Sequence, residues 1–173
     1  MRRITMVPPI VAFALLASTA IAQQPNTTAP TPSELRTAKT VFLSNAGGDS
    51  GLFPEPFSGD PGRGYMEFYS KLKDAGLFQL VDNPAQADLV LELQLTAPDG
   101  PSSANKQNGA SDPLPMFRLA IYDEKTHYVL WALTESIAPA FLQKTHDHNF
   151  DVAIDELLLD LERLTGKTPA APQ

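Results

Sequence analysis

From Asp88 to Thr96 the chain alternates with a period of two. Leu89, Leu91, Leu93 and Leu95 fall on one side, and Val90, Glu92, Gln94 and Thr96 on the other. Successive side chains of an extended strand point to opposite faces, so this is a strand with one apolar and one largely polar face. A strand buried on both faces of a parallel sheet would read apolar throughout. The sheet that holds this strand is therefore covered on one side only.

The cover is written further along. Phe150, Ala153, Ile154, Leu157, Leu158, Leu161 and Leu164 recur at helical spacing, with Asp147 or Asn149 as a candidate N-cap and Gly166 as the stop. Burying each large aliphatic residue of that stripe contributes about 1.5–3 kcal/mol, enough to dock the helix on the sheet. A second helix is expected from about Gly62 to Ala75. There Tyr65, Phe68, Tyr69 and Leu72 share a face, and Gly76 suits the left-handed C-cap.

Further strands are expected at Thr40–Ser44, Phe78–Val81, Met116–Tyr122 and Tyr128–Ile137. The last two are joined by the short Asp123-Glu124-Lys125-Thr126 turn of an antiparallel hairpin. Asn83-Pro84 reads as the start of a short helical turn. The order predicts a two-layer α/β sandwich: a mixed sheet of about five strands with two main helices packed on one face.

The ends read differently. Arg2 and Arg3 precede the apolar stretch Val7–Ala17, and Ala20-Ile21-Ala22 places small residues where signal peptidase cuts, so residues 1–22 are expected to be a secretory signal peptide. The competing reading is a retained anchor, since Ile4–Ala22 is uncharged and close to the minimum of roughly 18–20 residues for a span. Pro8 and Pro9 count against that anchor. Residues 23–37, rich in Pro and Thr, read as a flexible spacer, 38–166 as one α/β domain, and 167–173 as a disordered tail. Ala97–Pro113 reads as a long polar loop.

Composition narrows the chemistry. The 173 residues contain no cysteine, which removes disulfides, thiolate metal sites, cysteine nucleophiles and acylated anchors. Loss of Arg2 and Arg3 with the leader takes 13 basic residues to 11 against 20 acidic, a net charge of −9. That balance disfavours nucleic acid, which is held mainly by Lys and Arg on phosphate. No second apolar run is long enough to span a membrane after cleavage.

Two constellations invite a catalytic or metal reading. Gly47-Gly48-Asp49-Ser50-Gly51 contains a Gly-Asp-Ser block resembling that of GDSL esterases, with Ser50 as the nucleophile. The chain lacks the Asp-x-x-His base of those enzymes, and the alternative is a glycine-rich turn. His146-Asp147-His148 would put both imidazoles on one face of an extended segment, a candidate for part of a metal site. The alternative is a polar lead-in to the last helix. Tyr122, Tyr128 and Trp131 are candidate binding anchors on the hairpin, with core packing the commoner fate of Trp. Asp155, Glu156, Asp160 and Glu162 read as the solvated side of the last helix.

The phrases Ala87-Asp88-Leu89-Val90 and Phe117-Arg118-Leu119-Ala120-Ile121-Tyr122-Asp123, followed by Tyr128-Val129-Leu130-Trp131, resemble small exported bacterial proteins. These are the amino-terminal domain of TolB and the CsgG/LpoB group of outer-membrane assembly factors. The resemblance implies an exported, soluble, non-enzymatic binding or assembly module of the cell envelope, periplasmic or extracellular. Its partner would be another envelope protein or polymer, and it implies no catalytic residue and no cofactor. Many members are lipoproteins, and this chain departs from them in having no Cys.

Overall fold

The computed structural model describes residues 30–98 and 114–169. The expected leader and most of the polar loop, with residues 170–173, lie outside them.

The expected two-layer architecture is present. Five strands, β1 (Thr40–Gly48), β2 (Gln79–Leu80), β3 (Leu89–Thr96), β4 (Met116–Asp123) and β5 (Val129–Ser136), lie in the order β2-β1-β3-β4-β5. β1 runs parallel to β2 and β3, and β3–β4 and β4–β5 are antiparallel, so the sheet is mixed. α2 (Arg63–Ala75) and α3 (Gln143–Thr165) pack on the sheet and on each other. β3 alternates buried and half-buried along its whole length, with its four leucines in the core.

The helix boundaries follow their caps unevenly. Gly76 (φ 61°) and Gly166 (φ 65°) both adopt the left-handed conformation that closes a helix. The start of α3 differs from expectation. It begins at Gln143, with Leu142 as an N-cap that supplies no side-chain hydrogen bond. Asp147 and Asn149 lie inside the helix because both are used elsewhere. Asp147 accepts from Arg63 and from the Ser58 N–H, and Asn149 Nδ2 donates to Ala138 O at 2.8 Å.

Other expected boundaries also move. Residues Ser33–Thr37, assigned by sequence to the spacer, form a short helix α1 whose Leu35 is fully buried. At the other end Lys167 lays its ammonium 5.0 Å above the Phe78 ring centroid. β2 is shorter than the expected Phe78–Val81, because Asp82, Asn83 and Pro84 turn the chain away.

The core is centred on Phe150, fully buried, whose ring sits 4.9 Å from Phe117 and 5.1 Å from Phe57 by centroid. Here α2 comes close to the sheet: a Cβ built on Gly64 would stand 2.8 Å from Phe117 Cε1, nearer than a methyl group can approach.

Beside this core, Arg63 of α2 clamps α3. Its guanidinium lies over Phe150 (4.3 Å to the centroid) and pairs with Glu67 at 2.7 Å, Asp147 at 2.6 Å and Asp151 at 2.7 Å. Burial pulls the Arg63 pKa down, but Glu67 and Asp147 outweigh it and leave it raised. Burial also acts to raise Asp147, and the Ser58 N–H and Arg63 overcome it to hold the carboxyl below its usual range.

Candidate functional site

Ser50 opens a 3-10 turn (Ser50–Leu52) and is exposed. Asp49 does not orient a base there. Its carboxylate accepts from the Gly51 N–H at 2.8 Å and so shapes the turn. A serine nucleophile needs a base within hydrogen-bond reach. Among the described residues no hydrogen bond joins Ser50 to His127, His146 or His148. His127 lies in the β4–β5 turn with a positive φ of 59°, and the other two histidines lie on α3.

The extended segment expected at His146–His148 is helix. Two residues apart on a helix is about 200° of rotation, so the two imidazoles face opposite ways. His146 packs against Phe57 with ring centroids 5.9 Å apart, and His148 is exposed. Among the described residues no group of three or more His, Asp or Glu is arranged to hold a metal.

The hairpin aromatics divide three ways. Trp131 is half-buried against the core. Tyr122 lies on the uncovered sheet face and donates to Glu92 Oε1 at 3.2 Å. Burial first, then the Glu92 charge, raises its pKa. Tyr128 is 73% exposed at the hairpin tip.

An open cleft of about 770 Å3 lies where β2 ends, walled by Phe42, Tyr65, Met66, Tyr69, Leu80 and Asp82. The Val81 N–H donates to Val41 O, and pairing on that side of β1 then stops. The Tyr65 hydroxyl caps the next outward carbonyl, Leu43 O, at 3.4 Å.

The opposite edge is bare among the described residues. No other described strand pairs with the outer side of β5. The Ile137 N–H donates to Pro115 O at 2.8 Å, which fixes the parity of the β4–β5 ladder. Glu135 and Leu133 therefore turn their backbone groups toward β4. Ala132, Thr134 and Ser136 turn theirs outward, and all three residues are exposed. After a bulge at Leu130, the six residues 131–136, with one charge and no proline, present a template for another strand.

One side of this edge is acidic. Glu135 shares the helix face of β5 with Trp131 and Leu133 and meets Asp160 and Glu156 of α3. Burial first, then Asp160 and Glu156, pushes its carboxyl above the usual range. Arg163 is paired to Asp160 at 2.7 Å. The sequence reading leaves Glu135 out, although its parity with Trp131 and Leu133 places it on the covered face. Asp155, Glu156, Asp160 and Glu162 are exposed or half-exposed as expected, but Asp155 also pairs with Lys71 of α2.

No family model and no curated protein matches the chain. Among solved structures, it is similar to a PelC dodecamer from Paraburkholderia phytofirmans at 13% identity and a TM-score of 0.42. That match covers 79% of this chain and 91% of that one. It is also similar to a Xanthomonas campestris protein of the DUF330 family at 14% identity and a TM-score of 0.43, over the same shares of the two chains. TolB from Acinetobacter baumannii matches at 17% identity and a TM-score of 0.33, over 71% of this chain and 29% of TolB. None of these identifies a family for the chain.

Proposed function

We propose that this chain is an exported, non-enzymatic binding module of the bacterial cell envelope, which takes up another envelope protein as an added strand along β5. The observation that carries the reading is the edge at residues 131–136, unpaired among the described residues, with the outward backbone groups of Ala132, Thr134 and Ser136. Strand addition draws affinity from main-chain hydrogen bonds and specificity from alternate side chains. Natural sheets usually blunt such an edge with lysine, proline or brevity; β5 has none of these from Trp131 to Ser136, beyond its bulge at Leu130, which fits a surface awaiting a partner. The leader pattern at residues 1–22 supports export to the periplasm or beyond.

The reading is tested in two steps. Fractionation of expressing cells, with amino-terminal sequencing, is expected to find the chain outside the cytoplasm and beginning at Gln23. Cross-linking from a reactive group at Thr134 in the envelope fraction is expected to capture one partner protein, and a group at Asp82 is not. Equal capture from both positions would overturn the assignment to β5.

A further inference from the structure

Three regions outside the described chemistry invite a proposal: the cleft beside β2, the exposed Phe141–Leu142 tip ahead of α3, and the acidic flank of β5. Nothing in the structure shows what covers the first two. The third constrains its occupant.

The side chains of any strand added to β5 would alternate, as those of β5 do. Those on the helix side would lie beside Trp131, Leu133 and Glu135 and above the flank of α3. At the Trp131 end that surface is aromatic and aliphatic. At the Glu135 end it holds three carboxylates, Glu135, Glu156 and Asp160, against the one guanidinium of Arg163, which already serves Asp160. Trp131 and Glu135 are four residues apart on one face, about 13 Å along the strand.

A second copy of this chain does not suit that surface. Pairing β5 with itself about a two-fold axis would bring the two α3 flanks together and gather two copies of Glu135, Glu156 and Asp160 in one region, which adds like charge without adding a cation beyond Arg163.

Resting on the strand-addition reading above, we propose that the segment received by β5 is an extended peptide of another protein, apolar opposite Trp131 and cationic, Lys or Arg, opposite Glu135. A lysine or arginine there satisfies the excess negative charge while its aliphatic stem covers Leu133. The overall acidity of the chain adds long-range attraction for such a segment.

Two fluorescein-labelled synthetic peptides test this on the full chain. Each alternates Thr and Val, and they differ only in carrying Lys or Glu four positions from a central Val. Fluorescence polarisation reads affinity, and amide hydrogen exchange at Ala132, Thr134 and Ser136 reads the site. The Lys peptide is expected to bind at least about tenfold more tightly, with slowed exchange at those amides and a gap that narrows as salt rises. Glu135→Lys is expected to reverse the preference. Glu156→Lys, on an exposed helix position, is expected to weaken it and serves as the control should the first variant not fold. Equal affinity with slowed exchange would sink the charge inference and leave strand addition standing. Unchanged exchange with both peptides would remove both, as would a β5-dependent dimer in sedimentation.

Discussion

At one margin of the sheet β2 pairs with β1 over two residues, then leaves through Asp82, Asn83 and Pro84. At the other, β5 bulges at Leu130 and then runs to Ser136 with its outer backbone groups unmatched among the described residues. The first margin is short, turned aside by a proline and partly covered by the Tyr65 hydroxyl on Leu43 O. The second carries Val129, Leu130, Trp131, Ala132 and Leu133 in a row, with Glu135 as its only charge. Both belong to one mixed sheet on one core, so the difference is local. Among the described residues one edge is blunted and the other open, which makes the open edge the place to look for an interaction.

If the margins differ only locally, damage to the shared core must loosen both together. Phe150→Ala is expected to lower stability by about 3–5 kcal/mol, because it empties a site lined by Phe53, Phe57 and Phe117. Urea unfolding should give one transition, with amides of β1 and β5 released in parallel. Two separate transitions would show that the margins are distinct units.

Next in size is the clamp that joins the helices. Arg63→Met keeps much of the aliphatic packing on Phe150 but leaves Glu67, Asp147 and Asp151 without their cation. The expected loss is about 2 kcal/mol by chemical denaturation. Removing Arg63 is expected to raise the pKa of Asp147, which a carbon-13 carboxyl titration would read. An unchanged Asp147 titration would mean the Ser58 N–H alone holds it down.

The sharpest contrast between the margins comes from proline. The N–H groups of Thr134 and Leu80 both point away from their ladders, so proline at either position removes only an outward donor. Thr134→Pro is expected to cut peptide affinity by at least about tenfold, roughly 1.4 kcal/mol. Leu80→Pro is expected to leave it unchanged, with far-UV circular dichroism matching the parent in both. Equal losses would erase the distinction.

The smallest effect is a pH dependence confined to β5. The Glu135 pKa is raised in the fold, so its ionisation works against folding above that pKa. The burden lifts as pH falls through the raised value toward the unfolded one. Glu135→Gln is therefore expected to melt slightly higher than the parent at neutral pH, with the gap closing on acidification below the ordinary carboxylate range. A gap that widens with acid would contradict the sign.

Much of the fold was legible because its signals are local. The leucine period of β3, the glycine stops of α2 and α3 and the short turn between β4 and β5 each sit within a few residues of what they specify. The start of α3 misled because Asp147 and Asn149 have cap chemistry that the fold spends on Arg63 and Ala138 instead. Leu35 reads as part of a spacer because one apolar residue among prolines has no period to reveal it. The candidate site was scarcely legible. That β5 forms an edge depends on strand order, and the meeting of Glu135 with Asp160 depends on which helix lies beneath it. Both are long-range facts that no spacing records.

The contact of Gly64 with Phe117 has a consequence for how this chain can drift over generations. Helix and sheet touch there through an absent side chain, so a methyl at position 64 forces the ring at 117, or the helix itself, to shift. A smaller residue at 117 makes room for a side chain at 64, so a paired change at these two positions marks the same close seating of α2 in another sequence.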